Sequence, residues 1–295
     1  MVGCGRWGSL VVRDLVALGV STHVVARSAE SRGRAEEAGA SEVVGDVRDL
    51  TGMRGFVVLT PTATRPEIIK EVLGRGVPVF TEKPLALDVR DARALAAAAD
   101  GRLFVMDKWR YHPAVACLSE LARSGELGAP LGLHCRRLST GNPRGEDDGV
   151  ANLLPHDLAI AQEVLGELPP AVSARGYGEG DALDGLVAVL GTEPWLAVEV
   201  SARWPEHIRE VTLHLRLGSA RMVGDAQYVE VISADGARAE RRPVTGEPPL
   251  RAELRAFVEH LEGGPSPKSG AAPAADAVAV TAQLRAMAAQ ARSAA

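Results

Sequence analysis

The chain has few cysteines, no surplus of positive charge and no long unbroken apolar run, and each shortage removes a class of function. Cys4, Cys117 and Cys135 are odd in number and far apart in sequence. They fit neither a zinc site nor a disulfide framework, and they point to a reducing cytoplasm. Lys and Arg number 33 against 38 Asp and Glu, a net charge of −5, so no basic field exists to hold a nucleic acid. The apolar stretches break well short of the ~20 residues that span a bilayer, and the opening residues lack the basic-then-apolar layout of a signal peptide. Neither a membrane nor a secreted location is expected. No repeat of fixed period occurs, and His112, His134, His207 and His214 show no metal-ligand spacing, so no metal site is expected. What remains is the composition of a soluble globular protein of 295 residues, enough for two domains.

The first third alternates short apolar runs with amphipathic stretches. Thr22–Arg27, Gly55–Thr60, Val77–Glu82 and Arg102–Asp107 are rich in β-branched residues and flanked by turn formers, the pattern of strands. The segments between them carry helical spacing and often end at Gly. Strands apolar on both faces, each followed by a helix, predict a doubly wound parallel sheet over residues 1–108. The rhythm changes over 109–295. A helix, a long strand "APLGLHCRRLSTG", a polar loop at Asn142–Gly149 and a helix from about Pro155 to Gly166 come first. Alternating strands follow. In "VTLHLRLG", Val211, Leu213 and Leu215 share one face, as in an antiparallel sheet with one side on a core. The chain ends in helices, so an α+β second domain is expected.

The opening "MVGCGRWGSL" holds G-x-G-x-x-G at Gly3, Gly5 and Gly8, with a helix directly after. In a dinucleotide site the first glycine allows the tight turn, the second lets the pyrophosphate approach the backbone, and the third permits close helix–strand packing. The helix N-terminus offers free N–H groups to the phosphates, with Arg6 and Trp7 at hand. Only Met1 and Val2 precede Gly3, against about five residues for an ordinary strand. The first strand is therefore expected to be cut short, leaving a domain less stable than one with about five more apolar residues ahead. About 20 residues on, NAD sites present an acid to the ribose. Here the stretch reads Ala26, Arg27, Ser28. A guanidinium and a hydroxyl suit a 2′-phosphate, which favours NADP(H), with NAD(H) possible. Glu30 is a further candidate for the ribose, and Arg27 could instead stack on adenine with either cofactor.

"TEKP" (Thr81–Pro84) follows a strand at the edge where open α/β sheets bind ligands, and "LLPHDLAI" (Leu153–Ile160) opens a helix. With "GCGRWG", "LTPTATRPEIIKEVLGRGVPVFTEKPLAL", "RYHPAV", "SGELG", "PHD" and "SARWPEHIREVTLHL" in order, the chain resembles the Gfo/Idh/MocA oxidoreductases, named for glucose–fructose oxidoreductase and inositol 2-dehydrogenase. Within that family the likeness is strongest to nucleotide-sugar 3-dehydrogenases, which carry a similar "APHD" after a polar loop. The resemblance implies hydride transfer between nicotinamide and a sugar, nucleotide-sugar or polyol carbon. His156 would be the acid/base and Lys83 would steady the developing alkoxide. Glu82 would lie under the nicotinamide ribose or orient Lys83, Pro84 would carry a cis peptide, and Thr60, Pro61 and Thr62 would line the nicotinamide side. Many relatives have Asp where this chain has Asn152. An amide can bind a substrate hydroxyl but holds no charge, so the His156 pKa is expected to be less elevated than in those relatives.

Lys108, Arg110 and Tyr111 follow a strand end where a substrate cleft is expected. Arg137, Asn142 and Arg144 are candidates for a substrate phosphate or carboxylate, and Asp157 could serve a helix N-terminus or the reaction. The expected protein is a cytoplasmic NAD(P)-dependent dehydrogenase in which Lys83 and His156 meet at one oxygen. The resemblance also implies a homodimer or homotetramer built through the second domain's sheet. A dinucleotide and sugar sensor of the same fold, and a reductase of C=N or C=C bonds, are the alternatives.

Overall fold

The computed structural model describes residues 1–140 and 148–293. The chain divides into two compact units, Met1–Tyr111 with Glu247–Val278, and His112–Gly246 with Ala279–Ala295. In the first, strands β1 (His23–Val25), β2 (Glu42–Val44), β3 (Phe56–Val58), β4 (Val79–Glu82) and β5 (Leu103–Met106) alternate with helices α1 (Arg6–Ala17), α2 (Ala29–Glu37), α3 (Arg65–Leu73) and α4 (Val89–Ala98). β1 pairs β2, and β3–β4–β5 pair in turn, all parallel. The short opening segment joins the two ladders. Val2 bridges both Val25 and Val58 in parallel, its N–H donating to Val57 O at 2.8 Å, while Val25 N–H donates to Met1 O at 2.8 Å. The sheet order is thus β2, β1, the Met1–Gly3 segment, β3, β4, β5. Strand order reverses on either side of that segment, which creates the crevice used by ligands of such sheets.

The strands read from the sequence recur as β1, β3, β4 and β5. β2 did not stand out, because "EVV" opens on an exposed glutamate and its two valines are only part-buried. Alternation along each strand divides the core. Phe80, Phe104 and Met106 join Val11, Val12 and Leu15 of α1 on one face. Val79, Leu103 and Val105 join Ile69 and Val72 of α3 and Leu95 of α4 on the other. Both faces are covered, as a parallel sheet requires.

The second unit begins with α5 (Pro113–Ser124), β6 (Pro130–Thr140) and α6 (Gly149–Leu165). Seven strands follow: β7 (Ala171–Tyr177), β8 (Gly185–Leu190), β9 (Trp195–Ser201), β10 (Arg203–Leu215), β11 (Gly218–Val223), β12 (Tyr228–Ser233) and β13 (Ala239–Pro243). The eight strands of this unit form one sheet in the order β13-β12-β11-β10-β6-β9-β8-β7, antiparallel except for β6 with β9. Val211, Leu213 and Leu215 are buried, as their alternation predicts. The opposite face carries a ladder of opposite charges. Arg136 donates to Glu199 at 2.8 Å and lies 3.7 Å from Glu210, and Arg221 sits between Glu210 and Glu230.

Two helices close the chain, α7 (Pro249–Leu261) and α8 (Ala271–Ser293). Here the structure corrects the boundary at 108/109, because Glu247–Val278 belongs to the first unit. The cause is packing. Phe257 of α7 stacks on Phe80 at 5.0 Å and meets Phe104 edge-on at 6.4 Å, while Ala271, Ala274, Ala275 and Val278 enter the core on the other face. Phe257→Ala should therefore lower the stability of the first unit by ~3–5 kcal/mol in denaturant unfolding, the usual cost of emptying a buried aromatic site. A loss below ~1 kcal/mol would show that α7 is dispensable there.

Candidate functional site

The glycine turn has the geometry its spacing implies. Gly3 has φ +92°, and a Cβ there would stand 3.0 Å from Leu59 O. A Cβ on Gly8 would stand 3.1 Å from Gly3 O, so the third glycine lets α1 pack close to the turn. Gly5 differs: a Cβ there meets nothing within 4 Å. Gly5 is the N-cap of α1 and supplies no side-chain cap. Open space in front of uncapped helical N–H groups is what a pyrophosphate needs. Two buried polar atoms on neighbouring residues, Thr60 Oγ1 and Trp7 Nε1, have no hydrogen-bond partner among the described residues. These features fit a dinucleotide.

Beside the turn, the ends of β3 and β4 carry the next candidates. Thr81 is fully buried, and its hydroxyl donates to Val58 O at 3.1 Å. Glu82, Lys83 and Pro84 follow, with a cis Lys83–Pro84 bond as expected. Arg65, not singled out by sequence, is 5% exposed and reaches both strand ends. Its Nε and Nη2 donate to Thr60 O at 3.2 and 2.9 Å, and its Nη1 donates to Glu82 O and Pro84 O at 2.7 and 2.6 Å.

Behind Lys83 lie three interacting acids, two of them missed by sequence reading. Burial pushes the Glu82 carboxyl up, with Lys83 and Arg65 pulling the other way. Burial likewise pushes Asp107 up to about 7; Arg110 opposes this, Glu82 adds to it, and Lys83 pulls down. Glu253 of α7 is 1% exposed and raised well above the carboxylate range by burial, then by Asp107 and Glu82. Lys108 offsets part of that charge, and its ammonium lies 5.0 Å from the centre of the Trp7 ring. Lys108, Arg110 and Tyr111 form a short 3₁₀ turn after β5, and the Tyr111 hydroxyl accepts the Lys268 N–H at 2.8 Å.

At the ribose end, Ala26 is buried and Arg27 is exposed. Ser28 is the N-cap of α2, its hydroxyl accepting the Ser31 N–H at 3.1 Å, and Glu30 is paired with Arg34.

In the second unit, α6 starts at Gly149, well before the expected Pro155. The cause is Asp148, whose carboxylate accepts the Ala151 and Leu183 N–H groups at 2.9 Å each. Arg285 of α8 grips it with two bonds of 2.9 and 2.6 Å. Burial pushes the Asp148 carboxyl up, but these bonds outweigh it and hold the carboxyl below its usual range. Pro155 therefore lies inside the helix. Asn152 and His156, four residues apart, fall on one helical face. Asp157 is not at a helix start. It is 1% exposed and paired with Arg137, whose Nε and Nη2 donate to it at 2.9–3.1 Å. Burial pushes the Asp157 carboxyl up and the guanidinium works against that. Arg137, a candidate for a substrate phosphate or carboxylate, lies on β6, where it makes this buried ion pair. Asn142 and Arg144 lie outside the described residues.

The Asp107 shift has a definite sign. Below about pH 4 the carboxyl is protonated in both folded and unfolded chains. Between about pH 4 and the folded value of about 7 only the folded chain holds the proton, so stability falls as pH rises, by ~1.4 kcal/mol per unit. Above that both states are ionised and the loss is complete. Asp107→Asn should therefore be more stable than the parent by over ~1 kcal/mol at pH 8 and equal to it at pH 4. A difference constant across pH would contradict the assignment.

Residues 1–105 match the family model described as "Oxidoreductase family, NAD-binding Rossmann fold". An inositol 2-dehydrogenase of Streptomyces avermitilis is 27% identical over 81% of this chain and 76% of its own. The myo-inositol dehydrogenase Hyg17 of Streptomyces leeuwenhoekii is 26% identical over 90% and 89%. Among solved structures, UDP-N-acetylglucosamine 3-dehydrogenase GnnA from Acidithiobacillus ferrooxidans superposes with a TM-score of 0.86 at 23% identity, covering 97% of this chain and 95% of that one. Levoglucosan dehydrogenase in complex with NADH gives 0.87 at 18% identity, covering 98% and 96%. These structures share the fold. With the glycine turn, the conclusion is that residues 1–105 carry the NAD-binding Rossmann fold of the Gfo/Idh/MocA oxidoreductases, and over most of its length the chain is similar to named sugar and polyol dehydrogenases.

Proposed function

We propose that the chain is an NAD(P)-dependent dehydrogenase of a sugar, nucleotide-sugar or polyol hydroxyl, working in either direction between alcohol and ketone. The observation that carries this reading is the open space at Gly5, with Lys83 at the same carboxyl edge of the sheet. The relatives' names, inositol and levoglucosan dehydrogenases and a UDP-sugar 3-dehydrogenase, support the substrate class.

Gly3, Gly5 and Gly8 would cradle the pyrophosphate, with Arg6 and Trp7 in the first turn of α1. Thr60, Pro61, Thr62 and Glu82 would face the nicotinamide side. Bound there, the dinucleotide supplies the hydride acceptor or donor. Lys83 hydrogen-bonds the substrate oxygen and stabilises negative charge as it develops. His156 takes the hydroxyl proton on oxidation and returns it on reduction, catalysis worth ~10²–10⁴-fold. Asn152, on the same face of α6, holds a neighbouring hydroxyl, and Lys108, Arg110 and Tyr111 bind the rest of the substrate. NADP(H) is the favoured dinucleotide, because exposed Arg27 can pair with a 2′-phosphate and no acid occupies 26–28 to repel it. A second copy of the chain is the expected partner of the open sheet face, where Val187, Val189 and Ile232 stand exposed among the charge ladder. Three free thiols suit a cytoplasmic setting.

Titration with NADH and NADPH, followed by turnover on a panel of nucleotide sugars and polyols, tests the reading. Lys83→Ala and His156→Ala should each lower turnover at least ~100-fold with the melting temperature unchanged, and Arg27→Ala should weaken NADPH but not NADH. Parental turnover in the first two variants would contradict the roles. Binding without turnover on any substrate would favour a sensor.

A further inference from the structure

We propose that Arg65 is the positioning residue of the Lys83 turn, its guanidinium tying the carbonyls on both sides of Lys83 to the end of β3. The inference rests on the functional reading above, which gives Lys83 its task. Four bonds carry it: two to Thr60 O, one to Glu82 O and one to Pro84 O, at 2.6–3.2 Å. Glu82 and Pro84 bracket Lys83 in the chain, so one side chain sets where that residue's backbone leaves the sheet. The contact is local to the first unit.

Arg65 occupies an unfavourable place by two measures. It is the first residue of α3, where the helix dipole is positive and a cation is repelled. It is also buried, so its charge has lost water. The four charge-assisted bonds and the nearby Glu82 carboxylate offset those costs. A residue that breaks local rules at a functional edge is there for the geometry it imposes.

Lysine cannot replace it. An ammonium is a point donor, whereas the planar fork spans carbonyls on two separate segments. The strands themselves have an independent tie, since Thr81 Oγ1 donates to Val58 O and β3 pairs with β4 over Phe56–Val58. Losing Arg65 should therefore release the turn while the sheet and the glycine turn stay in place.

The test compares the parent with Arg65→Lys and Arg65→Ala. In both variants kcat should fall at least tenfold while the NADPH dissociation constant stays within threefold. Labelling of Lys83 by an amine-reactive ester, read by peptide mass spectrometry against exposed Lys70, should change at least threefold. Unchanged kcat and labelling would overturn the assignment. So would a loss of dinucleotide affinity in proportion to kcat, or failure of both variants to fold, since Arg65 would then serve the fold alone. If the parent neither binds a dinucleotide nor turns over, the functional reading fails by itself, and the labelling ratio still decides the role of Arg65.

Discussion

At Gly3 the chain leaves the sheet with φ +92°, so close to its neighbour that a side chain would stand 3.0 Å from the Leu59 carbonyl oxygen. That close approach organises the first unit. It lets Met1–Gly3 sit between β1 and β3, joining two parallel ladders into one sheet. It also starts α1 where the strand order reverses, with Gly8 holding the helix against the turn. The crevice, the helix N-terminus and the ends of β3 and β4 are placed by this one backbone turn.

Around it the chain gathers three interacting acids, two of them buried. Burial raises Glu82, Asp107 and Glu253, neighbouring acids raise Asp107 and Glu253 further, and Lys83, Lys108, Arg65 and Arg110 work against the rise. Such networks are costly to stability and are found where electrostatics serve chemistry. In the second unit, by contrast, two acids are each held by an arginine. Arg137 is matched to Asp157 and Arg285 to Asp148, and the second of these sets where α6 begins. Breaking such a pair leaves an uncompensated charge, so each pair makes its local geometry obligatory.

The legible parts of the sequence were those set by local pattern. β1, β3, β4 and β5 are continuous apolar runs between turn formers, and the Val211–Leu215 alternation gives its buried face directly. The unread parts depend on contacts distant in sequence. Pro155 looks like a helix start, but the true cap is Asp148, chosen because Arg285 reaches it from the other end of the chain. Arg136 and Arg137 are neighbours whose side chains leave opposite faces of β6, one towards Glu199 and the other towards Asp157. Sequence alone does not say which is buried. Glu253 was accessible to inspection, because it falls in the apolar stripe of Leu250, Leu254 and Phe257. Arg65, a cation at a helix start, was another visible exception.

The central claim is that the opening turn holds a dinucleotide, and Gly5 separates that role from folding. Its φ of −75° suits any residue, and a side chain there meets nothing within 4 Å. The direct measurement is NADPH and NADH titration of Gly5→Val beside its unfolding curve. Stability should stay within ~1 kcal/mol of the parent while dinucleotide binding weakens at least fiftyfold. A folded variant that binds as tightly as the parent would contradict it.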